Sequence, residues 1–392
     1  MSTSPKEPPT LATTIATARG LLQVGVAGTV GVASLAEAVH RAVLATAPLP
    51  MLPGRLIAQV IAGVAYDGVR GVAGAVGKGG DALLGEVERR ARGADSGTAA
   101  PTVALPLGLR AALNGVVGDR LEEMGNPMAL PMSIEAHAMA RLRRAPMNAS
   151  GARVLFIHGL CMTDRHWQEG EGAGVCFGER LLRVHGHRPS YLRYNSGLPI
   201  AENGQRLAAL LEARQRGRAA WDGPLHIVAH SLGGLVFRCA LAAGDAQGHR
   251  WPERLRHVVF LGTPHGGAPL ERVGKTVDAM LAVSRFAAPW AALGRLRSIA
   301  IRQLGHADVA PLTMRRSAVH FHAVAGTMVR RAGMPLLDFV GDGLVPLASA
   351  LAERVPPGVM RIHSRRRFGG VGHLALIRHP DVAEHVVALL QT

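Results

Sequence analysis

The chain has 392 residues, is 48% hydrophobic and carries a formal net charge of +16 at pH 7; this length suits one large α/β domain plus an extension. Its three cysteines are odd in number and lack metal-binding spacing, which argues against a disulfide framework and a zinc site. The positive charge comes almost wholly from scattered arginines without a nucleic-acid-binding motif, so no nucleic acid partner is expected.

Residues 1–104 form an extension rich in alanine and glycine that ends in a linker. Residues 20–36 are uncharged, but this run is shorter than the ~20 apolar residues of a spanning helix. A basic segment followed by a cleavage site is lacking, so no signal peptide is predicted. Two interpretations compete: a helical hairpin packed on the following domain, or an anchor at a membrane surface, where arginine would be attracted to anionic lipid.

A second domain is predicted over residues 105–392, where strand and helix patterns alternate. The predicted strands are 153–158, 190–194, 225–229, 257–261, 320–325 and 359–363, with an antiparallel edge strand expected from 128–134. The predicted helices are 179–185, 203–214, 235–243 and 380–390. This alternation indicates an α/β fold with a doubly wound, mainly parallel sheet.

The first predicted strand ends in His158-Gly159. A backbone N–H directly after such a turn can form half of an oxyanion hole, and we assign this role to Leu160. His158 and Gly159 are expected to shape the loop beside a substrate.

Residues 226–236 carry the strongest functional signal. An apolar strand stops at His230-Ser231, and Leu232-Gly233 opens a helix-prone run. A serine at the tip of a strand–turn–helix unit is typical of a nucleophile elbow, and Gly233 permits a close backbone approach. We therefore predict that Ser231 is a nucleophile, that the Leu232 N–H is the second oxyanion donor, and that His230 lies at the substrate site.

After the strand at 257–261, a Thr-Pro-His-Gly-Gly loop places His265 as a candidate substrate contact. Residues 268–310 then interrupt the strand–helix alternation, with apolar side chains at helical spacing. We interpret this segment as a lid that supplies apolar walls to an acyl pocket. The alternative is a helix packed on the core.

Two glycine-rich loops near the C-terminus supply an acid, Asp342, and a base, His373. The order serine, aspartate, histidine is the one found in α/β-hydrolases. In these roles His373 takes the serine proton, and Asp342 fixes the imidazole tautomer. The alternatives left open are Asp245 and Asp308 for the acid, and His363 and His379 for the base.

Together these motifs resemble bacterial lipases and esterases of the α/β-hydrolase fold, in the branch similar to the α/β domain of the GPI inositol-deacylases. The resemblance covers roughly residues 105–392. It rests on residues 156–160, 229–234, 261–267, 342–346 and 372–374. It implies ester hydrolysis through an acyl-enzyme, without a metal or an organic cofactor. Ala229 stands where the elbow pattern has its first glycine.

The sequence thus predicts a serine ester hydrolase for a lipid-like or other hydrophobic acyl ester. It is expected in the cytoplasm or at a membrane surface; no oligomeric state is predicted. Two alternatives remain open at this point. One is an acyltransferase or thioesterase with the same three residues, and the other is a membrane-associated scaffold without catalysis.

Overall fold

The computed structural model describes residues 107–136, 151–168, 176–216, 223–267, 298–306, 318–329 and 341–391, with short stretches inside 15–26 and 78–86. The chain divides into two compact units. The first comprises Met1–Pro106 and Leu121–Ala129, and the second comprises Leu107–Arg120 and Leu130–Thr392.

In the first unit, two helical stretches contact each other. The Arg19 guanidinium donates to both carboxylate oxygens of Asp81, at 2.7 and 2.9 Å, and Ile15 packs against Leu84. Most of the predicted hairpin lies outside the described residues, so its membrane contact stays a prediction. No helix in the described part of the chain is both long enough and apolar enough to cross a lipid bilayer.

The second unit is built on one sheet, to which the described residues contribute seven strands. Their order across the sheet is β1-β3-β2-β4-β5-β6-β7. Only β1 runs antiparallel to its neighbour, and the other pairings are parallel. The strands are β1 Ser133–Glu135, β2 Arg153–Ile157, β3 Arg188–Arg193, β4 Leu225–His230, β5 Leu255–Leu261, β6 His320–Thr327 and β7 Ile362–Gly369.

Helices precede, connect and follow these strands. Besides the helical stretches inside 15–26 and 78–86, the described helices are α1 Leu107–Glu123, α2 Phe177–His185, α3 Ile200–Arg216, α4 Leu232–Ala246, α5 Ile299–His306, α6 Leu347–Ala350 and α7 Pro380–Leu389. The four helices predicted from the sequence correspond to α2, α3, α4 and α7.

Both faces of the sheet are covered by other parts of the chain. The side chains of a strand alternate between the two faces, so neighbouring residues contact different partners. Phe156 and Val228 belong to the same buried cluster as Val382 of α7. Ile157, the neighbour of Phe156, points to the opposite face. There α4 comes so close that a Cβ built on Gly233 would lie 2.9 Å from the Ile157 Cγ2 atom. The predicted α/β fold with a doubly wound, mainly parallel sheet is confirmed.

The last strand differs from its prediction. The strand was expected over 359–363, but β7 spans Ile362–Gly369 and includes Arg365, Arg366 and Arg367. The apolar side chain of Met360 is buried in the preceding turn instead. Since β7 lies at the edge of the sheet and is largely accessible to solvent, it lacks the apolar run that marks an internal strand.

The lid interpretation for 268–310 falls mostly outside the described residues. The exception is α5, whose side chains Ala300, Ile301 and Leu304 are buried. Its start is fixed to α1, because the Ile299 N–H donates to the Asp119 carboxylate at 2.9 Å. The lid interpretation stays a prediction.

Candidate active site

Ser231 occupies a sharp turn between β4 and α4. Its φ of 54° and ψ of −125° are rare for a residue other than glycine. The turn is held on both sides: the Ser231 N–H donates to the Leu261 carbonyl at 2.9 Å, and the Gly234 N–H donates to the Ser231 carbonyl at 3.0 Å. A Cβ on Gly233 would lie 2.5 Å from the His158 carbonyl oxygen, so the turn requires glycine there, as the sequence indicates.

The side chains of Ser231, His373 and Asp342 form one hydrogen-bonded chain. His373 Nε2 lies 2.8 Å from Ser231 Oγ, and His373 Nδ1 lies 2.7 Å from Asp342 Oδ2. Because a carboxylate only accepts hydrogen bonds, Nδ1 carries the proton and Nε2 is left to accept from the serine hydroxyl. This arrangement can remove a proton from Ser231.

The acid is itself held by backbone donors. Asp342 Oδ1 accepts the N–H groups of Leu344 and Val345, at 3.0 and 2.9 Å. The side chain is buried, and these two donors satisfy this oxygen. The second oxygen is thereby reserved for His373.

All three residues lie at the carboxyl end of the sheet. Ser231 follows β4, Asp342 lies between β6 and β7, and His373 follows β7. This is the edge where ligands bind in open α/β sheets.

Gly262 belongs to the 261–267 motif, but the sequence assigned it no specific role in this site. It follows β5 with a φ of 58°. A Cβ at this position would lie 3.1 Å from both Asp342 Oδ2 and His373 Nδ1. A side chain here would crowd the hydrogen bond between acid and base. The signal for Gly262 is a glycine directly after a predicted central strand.

The loop after β2 lies beside the serine, since a Cβ on Gly159 would approach the Ser231 Cβ to 3.0 Å. The backbone N–H groups of Leu160 and Leu232 donate to no acceptor among the described residues. They are therefore available to an oxygen bound at Ser231, but the oxyanion role remains a prediction.

Two residues that sequence reasoning did not assign hold this loop. The Tyr194 hydroxyl donates to the His158 carbonyl at 2.8 Å, and the Cys161 N–H donates to Ser196 Oγ at 3.0 Å. Cys161 itself has a φ of 60°. Tyr194 and Ser196 follow β3, so their position at the carboxyl edge was the available signal.

The three histidines expected at the substrate site are all buried. His158 stacks on Tyr194, with ring centroids 4.4 Å apart, and burial lowers its pKa to about 4. His265 contacts the Phe260 ring edge to face, and burial followed by the charge of Arg238 lowers its pKa. His230 contacts His373. Their contact with a substrate stays a prediction.

The alternative acids and bases lie elsewhere or outside the described residues. Asp245 is exposed near the end of α4, about 20 Å along the helix axis from Ser231, and Asp308 is not described. His363 accepts the Phe321 N–H at 3.2 Å, at the amino ends of β6 and β7. His379 directly precedes α7.

The described residues contain no group of three or more His, Cys, Asp or Glu side chains placed to hold a metal ion.

No known protein family and no curated protein matches this chain, so the narrower resemblance to GPI inositol-deacylases finds no support there.

Several solved structures are similar. A mature lipase from Bacillus licheniformis is 18% identical, with a TM-score of 0.42, over 67% of this chain and 98% of that one. An esterase from Pyrococcus furiosus is 14% identical, with a TM-score of 0.40, over 62% of this chain and 82% of that one. An esterase from Pyrobaculum calidifontis is 11% identical, with a TM-score of 0.40, over 73% of this chain and 91% of that one. The case for a function therefore rests on the geometry of the chain's own site.

Proposed function

We propose that this protein is a serine hydrolase that cleaves carboxylic esters of lipid-like or other hydrophobic acyl substrates. The observation that carries the proposal is the hydrogen-bonded chain from Ser231 Oγ through His373 to Asp342. It is supported by the strained turn at Ser231 and by the two available N–H groups beside it.

In this proposal, Ser231 Oγ attacks the ester carbonyl carbon while its proton passes to His373 Nε2. The negatively charged oxygen of the tetrahedral intermediate accepts hydrogen bonds from the backbone N–H groups of Leu160 and Leu232. When the intermediate collapses, the carbon–oxygen bond to the alcohol breaks. The alcohol takes the proton from Nε2 and leaves an acyl group on Ser231. A water molecule then attacks the carbonyl carbon of the acyl group and gives a proton to His373 Nε2. The bond from this carbon to Ser231 Oγ breaks, Oγ takes the proton back, and the carboxylic acid leaves. Asp342 stabilises the imidazolium during both acylation and deacylation.

Apolar side chains beside this site support a hydrophobic substrate. Leu374, directly after His373, and Met328 are the large apolar residues here that remain exposed, at 43% and 58%. The Met328 N–H donates to the Gly341 carbonyl at 2.9 Å, which holds it beside the loop of the acid. Exposed apolar side chains beside a reactive group favour an apolar ligand.

A fluorophosphonate probe tests the nucleophile directly. The wild type is expected to be labelled covalently, since the probe reacts only with an activated serine. Ser231→Ala should not be labelled. Ser133→Ala, on the edge strand β1, is the matched control and should be labelled like the wild type. Labelling of Ser231→Ala at the wild-type rate would contradict the proposal. Hydrolysis of p-nitrophenyl esters of graded chain length then measures the preference for apolar acyl groups.

Tyr194→Phe tests the support of the oxyanion loop. The change removes the donor to the His158 carbonyl and leaves a buried acceptor unpaired, which lowers the free energy of unfolding by about 1–3 kcal/mol. Because the loop also carries Leu160, we expect kcat to fall about tenfold. Urea unfolding and initial rates measure the two effects.

The control is Tyr191→Phe, which removes a buried hydroxyl that bonds to Cys176. It should lower stability similarly and leave kcat near the wild-type value. Equal kcat values for the two variants would refute the special role of Tyr194.

A further inference from the structure

His230 connects the nucleophile to the main chain of the base. It is the last residue of β4 and directly precedes Ser231. Its Nε2 atom lies 3.0 Å from the carbonyl oxygen of His373, and its side chain is fully buried. A carbonyl oxygen only accepts hydrogen bonds, so Nε2 must carry a proton.

The surroundings of His230 keep this donor in place and neutral. Its ring contacts both Trp167, at a centroid distance of 6.5 Å, and His373, at 4.7 Å. Burial and the neighbouring His373 hold the pKa of His230 well below its usual value. His230 therefore adds no second positive charge when His373 becomes an imidazolium.

The main chain of His373 is fixed at both of its polar groups. Its N–H donates to the Asp342 carbonyl at 3.0 Å, and its carbonyl accepts from His230. The backbone of the base is thus bonded to the acid on one side and to the neighbour of the nucleophile on the other. Its side chain makes the corresponding pair of bonds to Asp342 and Ser231.

We infer that His230 is a positioning residue that sets the distance between His373 Nε2 and Ser231 Oγ. The inference rests on the proposed function, and it replaces direct contact with the substrate as the role of this side chain. His373 begins a short 3-10 helix, His373–Ile377, with no side-chain cap at its start. Without the hydrogen bond from His230 Nε2, the carbonyl oxygen of His373 is no longer bonded to a residue of β4.

The test compares His230→Gln with His230→Met. The two side chains have similar length and flexibility, but only the glutamine amide can donate near the position of Nε2. In His230→Met, we expect kcat to fall about 10- to 100-fold, because a small misplacement of a reacting group is costly. KM should stay within about twofold, since binding groups are untouched. His230→Gln should recover most of the lost kcat.

Equal kcat values for the Gln and Met variants would overturn the inference. A change confined to KM would also overturn it, because it would indicate substrate contact. If His230→Met fails to fold, His230→Asn takes its place, since the asparagine amide is too short to reach the His373 carbonyl.

A readout independent of turnover separates this inference from the proposed function. The low-field proton NMR resonance of His373 Nδ1–H, identified by its absence in His373→Ala, should persist in His230→Gln and weaken or shift in His230→Met. A wild type without esterase activity or probe labelling would refute the proposed function alone. An unchanged resonance in His230→Met would refute the positioning role.

Discussion

Replacing His373 with alanine is expected to lower kcat for ester hydrolysis by roughly four to six orders of magnitude. The imidazole is the group within 2.8 Å of the Ser231 hydroxyl, so its removal leaves the nucleophile with its proton. Because the three residues act as a unit, Ser231→Ala combined with His373→Ala should be no slower than either single variant. Initial rates at saturating p-nitrophenyl ester measure the effect.

His363→Ala is the matched control for this experiment. His363 is an exposed histidine near the amino end of β7, whereas Ser231 lies at the carboxyl ends of the strands. It should keep a kcat near the wild-type value. A His373→Ala protein that retains kcat within tenfold of the wild type, with its circular dichroism spectrum unchanged, would show that another group is the base.

Acidification from pH 7 to about pH 4 is expected to destabilise this protein, and part of this effect arises far from Ser231. Histidines cross the amino ends of β3 to β7 in contact with one another, and we call them the histidine row. The row consists of His187, His226, His257, His320, His322 and His363. Neighbouring rings lie 4.6 to 5.4 Å apart. At its centre, His257 Nδ1 and His322 Nε2 are 3.1 Å apart.

Four members of the row, His187, His257, His322 and His363, have lowered pKa values in the folded protein. Burial, followed by the neighbouring histidines, lowers the pKa of His257 to about 4 and that of His322 to about 3. Arg361 adds positive charge beside His363, and His185 contacts His187. At the outer side, His322 Nδ1 is held 2.7 Å from Ser364 Oγ.

The sign of the effect follows from the direction of these pKa shifts. In the unfolded chain, a histidine binds its proton at about pH 6.5. Between that value and about pH 4, the unfolded state therefore binds more protons than the folded state. Above about pH 6.5, these histidines do not lower the free energy of unfolding. As the pH is lowered from about 6.5 toward their pKa values in the folded protein, the free energy of unfolding falls.

Urea unfolding midpoints measured between pH 7.5 and pH 4 test this expectation. The double variant His257→Gln/His322→Gln should have a smaller loss of stability on acidification than the wild type. His379→Gln, outside the row, is the control and should keep the wild-type pH dependence. If the double variant loses stability as steeply as the wild type, the row is not the acid-sensitive element.

The central strands could be predicted because β2, β4 and β5 are apolar runs that end at clear turn residues. The cluster of Ser231, Asp342 and His373 could be predicted as a candidate site because each member stands in a glycine-containing loop after a strand. Its catalytic role remains a prediction. The start and end of β7 could not be predicted, since an exposed edge strand needs no apolar pattern.

Contacts between distant parts of the chain could not be predicted either. Gly262 matters because β5 ends beside the loops of Asp342 and His373, and Tyr194 matters because it reaches across to the loop after β2. The histidine row depends on strand register, which pairs His257 with both His226 and His320. A position directly after a strand marks Gly262 and Tyr194 as neighbours of the site, but the sequence does not show which side chains meet.

The arginines of β7 also bear on how copies of this chain meet in solution. In the described sheet, β1 at one border has only three residues, which is too short a template for a neighbouring strand. At the other border, a second copy aligned along β7 would bring its own Arg365, Arg366 and Arg367 against the first set. Such a pair would repel at low ionic strength, and added salt would weaken that repulsion.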